Sequence, residues 1–340
     1  MNFKAELKNL CAISGPAGYE KAVSEKVEEL FGEYSAEVWR DSFHNVYARM
    51  GEGGKRILIS AHMDEVGMMV RTIEDDGFLG ITSVGGIDPR VLPAHEVIVH
   101  GREELFGVIG AKPPHVTTPE QRSQMIPMNE LFVDIGLPVE KVRELVQVGD
   151  IISYRAPVID LAGDAVAGRT LDDRAGVMIL LETMDMLKNT VLQNVEVVFV
   201  GSVGEEVGAL GAQIAATDQW PDLGIAVDVN HGDTPDAPSG ESFPMDKPNI
   251  GYGPICHIGW VNRLRDVAKE ENIDYSLDVF GGRSYTDGDQ IQLAGEGFPV
   301  AVLSLPLRYM HTSVEVIRMN TVRKCAKLLA AFIEAVNEEG

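Results

Sequence analysis

Histidine and acidic residues follow each of four short apolar runs in this sequence. The runs, at 57–61, 195–200, 224–227 and 299–303, are rich in β-branched residues, as buried strands are. They are followed by His62 and Asp64, by Glu205 and Glu206, by Asp228, and, a few residues later, by His311. In open α/β sheets, ligands bind outside the carboxyl ends of the strands. We therefore expect these side chains to meet at one edge of a sheet.

A fifth segment brings further carboxylates. Asp172 and Asp173 stand at the start of a helix predicted over 174–187, where the helix dipole favours negative charge. So many acidic groups at one edge would repel one another unless cations neutralise them. Two histidines, several carboxylates and no thiolate suit zinc, cobalt or manganese in a hydrolytic site. Two such ions bridged by a carboxylate, with a carboxylate outside the ligand set as base, are the usual arrangement in aminopeptidases and related hydrolases.

Each of these residues also has an ordinary interpretation. Asp172 and Asp173 could be helix caps, and Glu205 and Glu206 could be exposed turn residues; the convergence of the segments favours the metal site. Asp64 is expected to hydrogen-bond His62 and fix its tautomer. His231, close to Asp228, is the reserve ligand should His311 fail. Ordinary surface or core roles are expected for His44, His95, His100, His115 and His257.

The elements that must position this site alternate between strands and helices. Further helices are predicted at 2–10, 20–31, 258–271 and 321–335, and a further strand at 274–279. The alternation predicts an α/β fold, a mostly parallel sheet with helices on both faces. Residues 67–165 differ: they are rich in Gly and Pro, with short apolar runs at 106–109 and 151–154 and one helix at 139–147. We expect a small β-rich domain at 67–165, inserted into a catalytic domain of 1–66 and 166–340.

Composition narrows the class of function. The 340 residues carry a net charge of −23, which disfavours nucleic acid as a partner. Three scattered cysteines, Cys11, Cys256 and Cys325, indicate a reducing compartment and no thiolate zinc site. The first residues lack the apolar core of a signal peptide, and no apolar run reaches membrane-spanning length. We expect a cytoplasmic protein with no membrane partner.

The motifs resemble those of the glutamyl and deblocking aminopeptidases, a family of TET-type particles whose members sometimes carry the name cellulase M. The resemblance covers nearly the whole chain, in family order and spacing. Its motifs are Ser-Ala-His-Met-Asp-Glu-Val-Gly at 60–67, Leu-Asp-Asp-Arg at 171–174, Gly-Glu-Glu-Val-Gly at 204–208, Ala-Val-Asp at 226–228 and Arg-Tyr-Met-His at 308–311, with Gly-Val-Ile-Gly-Ala-Lys-Pro-Pro-His at 107–115 in the inserted domain.

The resemblance implies a role for each candidate residue. One metal ion would be held by His62, Asp172 and Asp228, and the other by Asp172, Glu206 and His311, so that Asp172 bridges them. Glu205 would be the general base for a metal-bridged water, and Asp64 would orient His62. The ions would be two divalent metals per chain, zinc or cobalt, with manganese as a further candidate. A cis peptide bond is expected between Asp172 and Asp173.

The same resemblance implies partners and an assembly. The catalytic domain would have a phosphorylase/hydrolase-like fold, and the barrel-like inserted domain would mediate dimer contacts. Dimers would assemble into a tetrahedral dodecamer that removes N-terminal residues from oligopeptides. The sequence departs from the family at 282–288 and after Asp228, where the first substrate side chain would rest. Arg283 and Arg308 are candidates there for binding an acidic substrate side chain.

Three other functions remain open from the residues alone. A carboxypeptidase or dipeptidase of the same fold would need an arginine for the substrate carboxylate. A glycoside hydrolase would use Glu205 with another acid, and its activity would resist EDTA. A metal-binding shell without catalysis would be insensitive to Glu205→Gln.

Overall fold

The computed structural model describes residues 1–235, 237 and 240–340. Its strands are β1 (Glu37–Arg40), β2 (Val46–Glu52), β3 (Lys55–His62), β4 (Gly67–Ile73), β5 (Leu79–Val84), β6 (Glu96–His100), β7 (Glu104–Ile109), β8 (Phe132–Asp134), β9 (Ile151–Tyr154), β10 (Ile159–Asp160), β11 (Ala165–Gly168), β12 (Val195–Ser202), β13 (Leu223–His231), β14 (Asn249–Tyr252), β15 (Ser276–Val279), β16 (Val300–Leu307) and β17 (Glu315–Arg318). Its α-helices are α1 (Phe3–Ala12), α2 (Lys21–Phe31), α3 (Pro119–Arg122), α4 (Val139–Leu145), α5 (Leu171–Leu187), α6 (Leu210–Gln219), α7 (Ile258–Glu270), α8 (Gly288–Ile291) and α9 (Met319–Glu339).

The main sheet has eight strands in the order β1-β2-β12-β3-β13-β16-β14-β15. Its centre, β12-β3-β13-β16, is parallel. These are the four apolar runs identified in the sequence, and they are buried because helices cover both faces of the sheet. The flanking strands β1 and β2 pair in antiparallel fashion with their neighbours, and β14 is antiparallel to β16 but parallel to β15. The predicted mixed α/β fold with a mostly parallel sheet is confirmed.

Register brings the candidate residues to one edge. His62 is the last residue of β3 and pairs with Ser202, the last residue of β12. Asp228 lies on β13 opposite Ser304 of β16. Because the four central strands run in the same direction, their carboxyl ends and the loops that follow them share this edge.

Two layers of helices close the core. Helices α1, α2, α5, α7 and α9 pack on one face of the sheet, where the side chains of α5 are buried on nearly every side. Helices α6 and α8 pack on the other face. Helix α6 was missed in the sequence because its buried positions are small or polar, and such residues leave a weak apolar period. They are Gly211, Ala212, Ala215, Ala216 and Gln219. Gly211 lies so close to β12 that an added Cβ would meet the Val203 carbonyl oxygen at 2.4 Å.

A closed barrel, β4-β5-β8-β7-β6-β9, occupies the chain between β3 and β10 and has its own apolar core. The two strands that follow it, β10 and β11, pair instead with β17 in a three-stranded sheet. The barrel strands thus end at Tyr154. We keep the division at residues 66 and 165 as a proposal. Within the described chain, no helix is both long and apolar enough to cross a lipid bilayer.

Candidate metal centre

His62, Asp172 and Asp228 form a first ligand group, which we call the inner site. One ligand atom from each residue lies within 4.8 Å of the others, and all three residues are buried. His62 Nε2 is 3.1 Å from Asp172 Oδ1 and 3.9 Å from Asp228 Oδ1. Two of the three ligands sit on adjacent strands of the sheet.

Asp172, Glu206 and His311 form a second group, the outer site, which shares Asp172 with the first. His311 Nε2 is 3.3 Å from Asp172 Oδ2 and 3.2 Å from Glu206 Oε1. The His311 side chain is 28 % exposed, against 2 % for His62. The two groups coincide with the two ligand sets that the family resemblance implies; that they hold metal ions stays a prediction.

The tautomers of the two histidines fit a cation at each site. His62 Nδ1 is 3.2 Å from the Asp64 carbonyl oxygen, and His311 Nδ1 is 2.7 Å from the Gly86 carbonyl oxygen. A carbonyl oxygen only accepts hydrogen bonds, so each Nδ1 carries a proton. At Nε2 each ring faces carboxylate oxygens: without a cation, Nε2 carries a proton and donates to them, whereas a neutral ring would present its Nε2 lone pair to a metal ion. A metal ion between such groups satisfies both, and backbone carbonyls are common partners of metal-binding histidines.

Burial and the crowding of acidic groups also shift the pKa values of the residues in this site. Burial raises the pKa of the Asp228 carboxyl well above its usual range and that of Glu205 to about 10. Burial alone would lower the pKa of His311, but hydrogen bonds to Asp172 and Glu206 raise it to about 11. Each shift retains a proton among crowded acidic groups. A divalent cation would neutralise the same charge, so this donor set fits the expected metals.

Asp64 is buried beneath the turn that carries Glu205 and Glu206. Its carboxylate accepts the Glu205 N–H at 3.0 Å and the Glu206 N–H at 3.1 Å. The same carboxylate lies 3.5 Å from His62 Nδ1, while its main-chain carbonyl is closer. The expected contact with His62 is therefore made mainly through the backbone, and the side chain of Asp64 holds the turn.

Glu315 is a buried residue of the site that the sequence analysis missed. Its Oε2 accepts the N–H groups of Leu171 at 2.8 Å and Asp172 at 3.2 Å, and its Oε1 accepts the N–H of His311 at 2.9 Å. The expected cis peptide bond follows Asp172. Glu315 stands four residues after His311, and this position was the one signal that could have identified it. No motif or apolar period marks an acidic residue in β17.

Asp287 was also missed as a neighbour of the site. It is buried, and its Oδ2 accepts the hydroxyl groups of Ser60 on β3 and Ser202 on β12. The Asp287 carboxyl group interacts electrostatically with both His62 and Glu205. From the sequence, residues 282–288, which include Asp287, are expected only near the first substrate side chain.

Other candidates lie outside the two ligand groups. His231 ends β13 and is exposed. Arg283 Nε is 3.0 Å from Asp289 Oδ2, and the Arg308 guanidinium binds Asp233. Both arginines that were considered for an acidic substrate are thus already paired with acidic residues.

Comparison with known proteins assigns the chain to a family. A model of the M42 glutamyl aminopeptidases matches residues 44–328. A putative aminopeptidase of Acetivibrio thermocellus is 34 % identical over 96 % of this chain and 97 % of its own. The lysyl aminopeptidase of Pyrococcus furiosus is 30 % identical over 96 % of each chain. The TET1 peptidase of Pyrococcus horikoshii, which can assemble into a tetrahedron or a large octahedral shell, is 32 % identical with a TM-score of 0.85, covering 97 % of this chain and 98 % of its own. The chain belongs to the M42 glutamyl aminopeptidase family and is an aminopeptidase, a hydrolase of peptide bonds.

Proposed function

We propose that the chain is a dinuclear metal-dependent aminopeptidase that hydrolyses the N-terminal peptide bond of oligopeptides. The observation that carries the proposal is the pair of ligand groups that share Asp172, with a histidine Nε2 atom facing carboxylates in each. The inner and outer sites would hold one divalent ion each, zinc or cobalt in preference to manganese. Two bound ions would polarise the scissile carbonyl and make the attacking water more acidic.

Glu205 is the proposed general base. It belongs to neither ligand group, yet it adjoins Glu206 and interacts electrostatically with His62 and Asp228. Asp64 holds the backbone of this turn, so the position of the Glu205 carboxylate is tied to that of Glu206. The carboxylate would take a proton from the attacking water and pass one to the departing amine.

The barrel is the proposed contact surface of a homo-oligomer, with dimers assembling into a tetrahedral dodecamer. The TET1 relative can assemble into a tetrahedron, which supports the tetrahedral assembly proposed for this chain. The barrel also exposes large apolar side chains, among them Phe106 at 66 % and Met125 at 55 %. Met125 lines a cavity of about 1160 Å³ on this domain. Light scattering on the purified chain would give the number of subunits directly.

The activity is tested with aminoacyl-p-nitroanilides and matched peptides. A peptide with a free N-terminus should be cleaved, and the N-acetylated form of the same peptide should not. Amidation of the C-terminus should change the cleavage rate little. EDTA should abolish cleavage, and zinc, cobalt or manganese should restore it. Cleavage that requires a free C-terminus would instead indicate a carboxypeptidase, and EDTA-resistant activity on glycosides would indicate a glycoside hydrolase.

A further inference from the structure

His311 is the ligand least supported by its own segment of chain. It follows β16 on a loop, and its backbone has a φ of 61°, in the left-handed region that residues other than glycine seldom occupy. Its side chain is 28 % exposed. The inner-site histidine, in contrast, ends a buried strand. Something beyond the loop must hold the His311 ring in place.

The barrel makes that contact through Gly85 and Gly86, the turn that follows β5. The Gly86 carbonyl oxygen accepts the hydrogen bond from His311 Nδ1 at 2.7 Å. This bond orients the ring so that Nε2 points at Asp172 and Glu206. The hydrogen bond therefore sets both the tautomer and the direction of the ligand atom.

The same turn packs directly on the outer-site side chains. A Cβ added at Gly86 would lie 3.1 Å from His311 Nδ1 and 3.2 Å from its Cε1. A Cβ added at Gly85 would lie 3.3 Å from Glu206 Cβ. A side chain in this turn would therefore press on one of the two ligands that are specific to the outer site, and that ligand would have to shift by a few tenths of an ångström.

A second bond joins the barrel to the loop of His311. His95 Nε2, just before β6, lies 2.6 Å from the Ser313 hydroxyl oxygen. Ser313 is buried and stands two residues after His311. The His62 ring is held instead by Asp64, within the α/β part of the chain.

The geometry points to the Gly85–Gly86 turn of the barrel as a positioning element of the outer metal site. It orients His311 from outside the catalytic sheet, so the affinity of the outer site for metal depends on the barrel and that of the inner site does not. The inference rests on the proposed function, since it takes both ligand groups as metal sites. It assigns the barrel a part in metal binding in addition to subunit contacts.

Gly86→Ala tests this with a single methyl group. The φ of Gly86 lies outside the left-handed region, so alanine adds a contact with His311 and no backbone strain. Gly110→Ala is the matched control, because Gly110 directly follows β7 of the barrel and its added Cβ would meet no atom of the described residues within 4 Å. Two background variants allow each site to be measured alone. Asp228→Asn removes a ligand of the inner site and keeps the outer site, and Glu206→Gln removes a ligand of the outer site and keeps the inner site.

Metal-stripped protein is titrated with Zn²⁺ and followed by calorimetry. In the Asp228→Asn background, Gly86→Ala should weaken binding by about 10- to 100-fold, the usual effect of disturbing the partner of a metal-bound histidine. In the Glu206→Gln background it should change nothing, and Gly110→Ala should change neither. In the Asp228→Asn background, a Zn²⁺ affinity that is the same with and without the Gly86→Ala substitution would overturn the inference.

A second variant tests the same inference if Gly86→Ala does not fold. Ser313→Ala removes the bond to His95 and should weaken the outer site by about two- to tenfold, the usual effect of losing one hydrogen bond. An unchanged outer site in this variant would also count against the inference. If the unmutated chain itself binds fewer than two Zn²⁺ ions, the proposed function fails, and that result is distinct from a wild-type chain with two ions and an insensitive Gly86→Ala.

Discussion

The inner and outer sites share a carboxylate but are built in different ways. His62 and Asp228 lie on neighbouring parallel strands, so the register of a buried sheet sets the distance between them. Glu206 and His311 lie on a turn and a loop, and each is held by contacts from other parts of the chain. A site made at strand ends is positioned by the same hydrogen bonds that form the sheet. A site made from loops needs separate supports, here Asp64, Glu315 and the barrel.

Asp172→Asn is expected to have the largest effect, because Asp172 belongs to both sites. Both metal ions should be lost and peptide hydrolysis should disappear. Asp228→Asn and Glu206→Gln are the comparators, and each should lose one ion, from the inner and outer site respectively. Elemental analysis after gel filtration counts the ions. An Asp172→Asn protein with two ions per chain would contradict the shared role.

Glu205→Gln should keep both ions and lower turnover by about 10²- to 10⁴-fold, the usual contribution of a general base. The adjacent Glu206→Gln makes the same chemical change on the same turn and should instead lose the outer ion. Metal content and kcat measured on both variants separate base from ligand. Turnover at the wild-type rate in Glu205→Gln would exclude Glu205 as the base.

Glu315→Gln should have a smaller effect, larger at the outer site, which contains both Asp172 and His311, than at the inner site, which contains only Asp172 of these two. The amide keeps one acceptor oxygen in place of two, so the N–H groups of Leu171 and Asp172 and that of His311 can no longer all be bound. We expect the affinity for the second Zn²⁺ to fall by about 10- to 100-fold. The first Zn²⁺ serves as internal control in the same titration. Equal weakening of both ions would show that Glu315 supports Asp172 alone and would weaken the contrast between the sites.

Much of the candidate site could be predicted from local pattern. The four central strands are short β-branched runs, and an acid or histidine that follows such a run in a parallel sheet must lie at its carboxyl edge. His62, Glu205, Glu206 and Asp228 were found in this way. His311 was predicted from the same pattern, although it lies several residues beyond its strand and a lone histidine is usually ordinary.

The supports of the outer site could not be predicted, because their contacts join distant parts of the chain. Glu315 binds a segment 144 residues earlier, and Gly86 binds a residue 225 positions later. Helix α6 was missed for a related reason, since packing by Ala and Gly depends on close approach rather than on a visible apolar period.

The sequence by itself predicted the α/β class, the β-rich segment and the candidate ligand residues, because these follow from apolar period and from the residues at strand ends. The family resemblance already implied how the candidate ligands divide between an inner and an outer site, and the two groups in the structure agree with it. Tertiary structure alone decided what holds each of these side chains in place. Which backbone oxygen faces a histidine ring is set by the packing of one domain on another. No local pattern encodes that, because it arises only when the barrel and the sheet come together.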